Sequence, residues 1–290
     1  MKEIDYAVPR SVDEAVAILK EKGDRARVLA GGTDLIIQIR EYQRDADFLV
    51  DIKAIPQTME LTFDSKAGLT LGAAVPCYRI YEDTTIRKTY PGIIDSASLI
   101  GGTQIQSRAS FGGNLCNASP AADTIPTLIA HSAVCVIAGP DGTREVPVEQ
   151  FCTAPGKTVL SPNEFLVSFK IPAPPANFGA AYLRFIPRNE MDIAVVGAGV
   201  SVTLDDAKSK VTAARIALAA VAPTPLLADA AGKALVGNEA NNANIEKAAE
   251  AARAAAKPIS DMRGDAEYRK HLAGVLTKRA LKIAVQRAKS

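Results

Sequence analysis

Apolar residues return at helical spacing between Ser11 and Lys22, as Val12, Ala15, Val16 and Leu19. Ser11 with Glu14 three residues later is a capping box, and Gly23 ends the run. Arg27 to Ala30 then reads as a strand, Leu35 to Ile39 as a short helix, and Phe48 to Ile52 as a second strand. The pattern predicts a βαβ-like lobe over residues 1–55.

From Leu61 the spacing changes. Leu69 to Val75 reads as a strand, Tyr78 to Asp83 begins a helical region, and Gly92 to Ile100 is a helix with Ile93, Ile94, Ala97 and Ile100 on one side. Thr103 to Ser107 is a polar connector. Thr124 to Ala130 is helical with Pro126 in its first turn, where proline is tolerated. Ala133 to Ala138 and Arg144 to Val148 pair around Gly139-Pro140-Asp141-Gly142, and Phe165 to Ile171 is another strand. The proline-rich Pro172 to Asn177 reads as a linker, so a second unit spans 56–176 and a third 177–290. Ala180 to Phe185, Ala194 to Leu204 and Ala213 to Val221 are its strands. Asn244 to Ala256 and Tyr268 to Ala288 are its helices. Strands first and helices last make this an α+β chain.

Composition narrows the function. The 290 residues are 48% hydrophobic and 23% charged, with a formal net charge of +2. Such a balance argues against a basic nucleic-acid surface, and no apolar run is long enough for a membrane span. Met1 to Tyr6 lacks the apolar core of a signal peptide, which places the chain in the cytoplasm. Cys77, Cys116, Cys135 and Cys152 are scattered without a C-x-x-C pair, so they read as reduced, mostly buried thiols rather than cluster ligands. His131 and His271 stand alone in sequence and suggest no catalytic pair.

The candidate chemistry lies in two glycine pairs. Val28-Leu29-Ala30-Gly31-Gly32-Thr33-Asp34-Leu35 leaves the first strand. Ser110-Phe111-Gly112-Gly113-Asn114 runs on to Ala118-Ser119-Pro120-Ala121-Ala122-Asp123. Each pair permits positive φ and close approach of backbone to a bulky ligand, and amides in such turns form anion-binding concavities. Two of them suggest a pyrophosphate gripped from both sides. Either pair alone would be weak evidence, with a simple tight turn as the lesser alternative. Asp123 also reads as an N-cap, Arg184 as a surface or ion-paired strand residue, and Ile100 and Leu166 as core. Arg108, just before the second pair, is within sequence reach of a phosphate.

These motifs resemble the FAD-binding (medium) subunit of the molybdenum hydroxylases, of the xanthine dehydrogenase and carbon monoxide dehydrogenase type. Arg188-Asn189-Glu190-Met191-Asp192-Ile193 and Asp261-Met262-Arg263-Gly264-Asp265 resemble that family's C-terminal domain, so the likeness spans the chain. The resemblance implies a two-subdomain FAD-binding fold of the vanillyl-alcohol-oxidase/PCMH type followed by a smaller α+β domain. It is not a Rossmann fold, and no G-x-G-x-x-G opens a helix. It implies FAD bound by residues 28–35 and by Ser110, Gly112, Gly113 and Asn114. Asp123 is expected at the ribose, Ile100 and Leu166 against the flavin, and Arg184 near the isoalloxazine. A molybdopterin-binding large subunit and a [2Fe–2S] small subunit are the implied partners, with NAD or a quinone as acceptor. The chain departs from the family's Thr-Ile-Gly-Gly with Ser110-Phe111-Gly112-Gly113, and Phe111 is expected to alter packing beside the flavin. It has no cysteine-rich insertion for a [4Fe–4S] cluster. The rival readings are a stand-alone flavin oxidase, a nucleotide-sugar reductase and a flavin-free scaffold of the same fold.

Overall fold

Parallel strands need crossovers, and the first lobe supplies them. In the computed structural model, which describes residues 3–290, Asp5–Ala7, Phe48–Asp51 and Ala26–Leu29 form a parallel sheet with Phe48–Asp51 central. Met1 and Lys2, the start of the segment judged for a signal peptide, lie outside the described residues. The Val12–Lys22 helix packs Ala15 and Leu19 inward. Ser11 Oγ accepts from the Glu14 amide at 3.1 Å. Glu14 Oε2 reaches back one residue further than a capping box requires, to the Arg10 amide at 2.7 Å.

The second unit is an antiparallel sheet in the order Leu61–Asp64, Gly68–Gly72, Phe165–Ile171, Val134–Gly139, Gly142–Pro147. Its central strand, Phe165–Ile171, is buried at every position except Lys170. That burial explains its near-continuous apolar sequence. The hairpin closes at Gly139 opposite Gly142, where the turn residues predicted it. One core joins this sheet to the helices between residues 77 and 130, with Tyr90, Phe111, Phe151 and Phe169 fully buried.

The third unit is an antiparallel sheet of Phe178–Phe185, Val196–Leu204, Val211–Ala219 and Leu226–Leu227. The Ala266–Lys289 helix lies across it, and Asn242–Ala255 packs on that helix. Three carboxylate–arginine pairs join the third unit to the second. Arg287 binds Asp95 with both nitrogens, at 2.6 and 3.0 Å. Arg215 meets Glu149 at 2.7 Å, and Arg184 meets Asp123 at 2.7 Å. Every carboxylate lies on the second unit and every arginine on the third.

Some elements differ from the sequence pattern. The helix read to Ile100 spans Pro91–Ala97, because Ser98 caps it ahead of Gly101 and Gly102. Thr103–Gln106 is one helical turn rather than a connector. The strands Asp5–Ala7 and Cys152–Ala154 are too short to leave a periodic signal.

Candidate functional site

In a parallel sheet the ligand crevice lies beyond the carboxyl ends of the strands. The first glycine pair sits there, two residues past Leu29. Gly32 has φ +80°, a conformation that favours glycine. Gly31 serves a different purpose. A Cβ on it would stand 2.0 Å from the Arg108 carbonyl oxygen, so its missing side chain lets the first turn touch the approach to the second. Among the described residues, no acceptor engages the amides of Gly31, Gly32, Thr33, Asp34 or Leu35. Five consecutive free donors on one wall make an anion cradle.

The second pair is not a left-handed turn. Phe111–Cys116 is a short helix, and neither Gly112 nor Gly113 has positive φ. Ser110 is its N-cap, with Oγ accepting from the Gly113 amide at 3.1 Å. Gly112 is needed for close packing, since a Cβ there would meet the Ala73 carbonyl oxygen at 2.3 Å. The side-chain oxygen of Asn114 accepts from the Thr124 amide at 3.2 Å and the Thr124 hydroxyl at 2.6 Å. Asn114 thus caps the Thr124–Ala130 helix, the task that the sequence pattern had given to Asp123. Asp123 makes no side-chain cap bond. Phe111 is fully buried in the core and is not on the cavity wall.

The two motifs enclose a cavity of about 300 Å³. Val28, Ala30 to Leu35, Ser110, Gly112, Gly113 and Asn114 line it, with Ile100 and Leu166. Leu29 does not; it is buried behind the turn against Ile39, Ala46 and Leu49. Sequence reasoning missed Arg27, Gln38, Arg44, Cys116 and Asn117 on the wall. Gln38 donates to Asn117 at 2.9 Å, bridging the first two units across the cleft. Nothing local marks that pair, since 79 residues separate its partners. Burial, with Cys152 adding to it, pushes the Cys116 thiol up to about 12, so it stays protonated and is no nucleophile at neutral pH. Among the described residues, no cluster of His, Cys, Asp and Glu converges as a metal site.

The family profile described as "FAD binding domain in molybdopterin dehydrogenase" matches residues 2–174, and "CO dehydrogenase flavoprotein C-terminal domain" matches 181–284. The chain belongs to the FAD-binding medium chains of the molybdenum hydroxylases. It is 34% identical over 286 residues to the carbon monoxide dehydrogenase medium chain of Afipia carboxidovorans, covering 99% of this chain and 98% of the relative. It is 31% identical to the xanthine dehydrogenase FAD-binding subunit of Escherichia coli O157:H7, covering 98% and 96%. In structure it matches carbon monoxide dehydrogenase from Hydrogenophaga pseudoflava at a TM-score of 0.93 and 33% identity, covering 99% and 98%. The glycine cradle fits FAD, because the amides of Gly31 to Leu35 have no protein acceptor and Gly113, where a Cβ would meet only the Ser110 hydroxyl, leaves room on the opposite wall for a pyrophosphate.

The medium chain's Asp123 and Arg184 lie away from the cavity wall. Asp123 is buried and accepts from the Tyr182 hydroxyl at 2.7 Å and from Arg184 Nη1 at 2.7 Å. Burial raises its carboxyl pKa against the pull of Arg184. Both of its oxygens are engaged inside the protein, where an adenosine ribose had been expected to use them. Arg184 holds this carboxylate instead of standing free beside a ring. Arg108, open in the sequence reading, is exposed and contributes its carbonyl to the Gly31 contact. The family's two C-terminal motifs each carry an internal ion pair. Arg188 clasps Asp192 at 3.2 Å within its loop. Buried Arg269 ties Asp261 at 2.6 Å to the Val195 carbonyl at 2.7 Å.

Proposed function

We propose that this chain holds FAD in the cleft and serves a molybdenum-dependent hydroxylase or dehydrogenase. In that complex it would take electrons from [2Fe–2S] clusters of a small subunit and deliver them to an acceptor such as NAD or a quinone. A molybdopterin-binding large subunit would oxidise the substrate. The observation that carries this reading is the run of amides from Gly31 to Leu35 without a protein acceptor, on residues that line a cleft whose other wall is the Ser110-capped helix start. When bound, FAD supplies the exchange between one-electron clusters and a two-electron acceptor.

The chain's own residues have separable tasks. The amides of Gly31 to Leu35, with Thr33 Oγ1, hydrogen-bond the pyrophosphate from one side. The start of the Phe111–Cys116 helix and the Asn114 amide hold it from the other. Ile100 and Leu166 keep water from the flavin face. Asp123, Tyr182 and Arg184 act one step away, fixing the third unit against the helix that Asn114 caps. This division follows three units, 1–55, 56–176 and 177–290. Docking to the iron–sulfur subunit would use the loop carrying Met191 and Ile193, 58% and 50% exposed beside the Gly102 turn. No described helix is long and apolar enough to cross a membrane. Four unpaired cysteines support a reducing compartment, the cytoplasm.

The first test is an absorption spectrum of the purified chain, with the released cofactor identified by mass spectrometry. A flavin spectrum with the mass of FAD supports the reading. A colourless chain that takes up no added FAD, alone or in its complex, favours the flavin-free scaffold. The electron-transfer role fails if the reconstituted complex turns over equally well with its physiological acceptor when this chain is left out.

A further inference from the structure

The peptide that begins the first grip is held from behind by a charged side chain outside the cavity wall. Asp51 ends the central parallel strand in register with Leu29, the last residue before the glycine turn. Its carboxylate is buried and accepts three bonds: the Tyr6 hydroxyl on Oδ2, and on Oδ1 the Lys53 amide at 3.0 Å and Lys53 Nζ at 2.6 Å. Thus anchored, the Lys53 ammonium also donates to the Ala30 carbonyl oxygen at 2.8 Å. The lysine side chain is 22% exposed and the aspartate 9%.

The consequence follows from peptide geometry. In a trans peptide the C=O and the following N–H point in opposite directions. Among the described residues every peptide is trans. Drawing the Ala30 carbonyl back onto Lys53 therefore turns the Gly31 N–H away from Lys53, which is not on the cavity wall that Ala30 and Gly31 both line. An ammonium on that carbonyl also polarises the peptide and strengthens its amide as a donor. Asp51 neutralises the lysine charge, so the pair adds orientation rather than a net cation.

We propose that Lys53, braced by Asp51 and Tyr6, is a positioning residue for cofactor binding that sets the Ala30–Gly31 peptide to meet the pyrophosphate. The inference rests on FAD occupying the cleft.

The test uses the full-length chain, with FAD affinity read from flavin fluorescence at low and high sodium chloride and apo stability read from thermal melting. Lys53→Met keeps the aliphatic stem and removes every donor. It should weaken FAD binding by about tenfold, the loss of one well-oriented charge-assisted bond. The apo melting point should stay close to wild type, and the salt dependence of binding should be unchanged because Lys53 does not touch phosphate. Lys53→Arg retains a donor and should recover most of the affinity. Affinity within twofold of wild type in Lys53→Met overturns the inference. So does a shallower salt dependence, which would mark Lys53 as a direct phosphate contact. If Lys53→Met does not fold, Asp51→Asn decides: releasing the lysine should weaken binding about threefold, and unchanged affinity refutes the brace. A wild-type chain that binds no FAD refutes the cleft reading itself and is scored separately.

Discussion

Gly113 is the position where binding and folding separate. A Cβ built on it meets only the Ser110 hydroxyl, at 3.2 Å, and otherwise projects into open cavity. The hydroxyl has to give by a few tenths of an ångström. The residue lies in a helix with negative φ, so alanine suits the backbone better than glycine by about 0.5–1 kcal/mol. In a chain of this size that corresponds to a rise of roughly 1–4 °C in apo melting temperature. In the proposed binding mode the same methyl occupies the face presented to the pyrophosphate. Displacing a phosphate from one charge-assisted hydrogen bond costs about 1.5–3 kcal/mol, which is about 10- to 150-fold in affinity. Gly113→Ala should therefore melt at or above wild type while losing FAD by at least tenfold in a fluorescence titration. Its neighbour is the control. In Gly112→Ala the new Cβ meets the Ala73 carbonyl at 2.3 Å, a backbone atom that cannot swing away, so this variant should lose stability. Wild-type FAD affinity in Gly113→Ala would show that the cofactor does not use this wall.

Two further outcomes follow from buried charge. Burial lowers the His131 pKa from 6.5 to about 4, despite its bond to the Thr127 carbonyl, so the folded chain keeps the ring neutral while the unfolded chain takes up a proton below pH 6.5. Stability should fall as pH drops from 6.5 toward 4, by about 3 kcal/mol in all, and urea melts of His131→Phe should lack this part of the slope. Asp123→Asn leaves the Arg184 guanidinium buried without its counter-charge, at a cost of roughly 3 kcal/mol. It should lower the apo melting temperature by several degrees with FAD affinity within about threefold of wild type; a tenfold or larger loss of FAD would return Asp123 to the ribose.

The sequence made the elements legible wherever one physical demand governed a segment. Phe165 to Ile171 is buried on both faces, so its run of apolar residues could be read directly. Gly31 and Gly32 stood out because glycine is rarely placed twice at a strand end without cause, and both line the cleft. What each glycine does was not legible. Gly31 answers to a carbonyl 77 positions away, and Gly112 to one at position 73; contacts of that kind leave no periodicity. Asp123 illustrates the converse. Its place beside a predicted helix and inside a family motif suggested a cap and a ligand, but its partners, Tyr182 and Arg184, arrive from another sheet. The Gln38–Asn117 bridge and the Lys53 brace were invisible for the same reason.

The way the third unit is attached bears on whether the cleft can exist without it. Residues 124–130 are buried along their whole length, a pattern possible only for a helix covered on every side. Part of that cover comes from beyond residue 177. Ser201 Oγ donates to the Ala130 carbonyl at 2.7 Å, Arg215 Nε to the Ile129 carbonyl at 2.8 Å, and the Ala220 amide to the Pro120 carbonyl at 2.7 Å. The same helix begins at Thr124, the residue that fixes the Asn114 side chain on the cleft wall. Removing the third unit would expose this helix and leave Asp95, Asp123 and Glu149 without their arginines. A chain ending at Ala176 should therefore be aggregation-prone, and any soluble fraction should retain FAD poorly although it keeps every residue of the cavity wall. A soluble 1–176 fragment that binds FAD as tightly as the whole chain would show that the two glycine motifs assemble by themselves and that the third unit serves only the partner subunits.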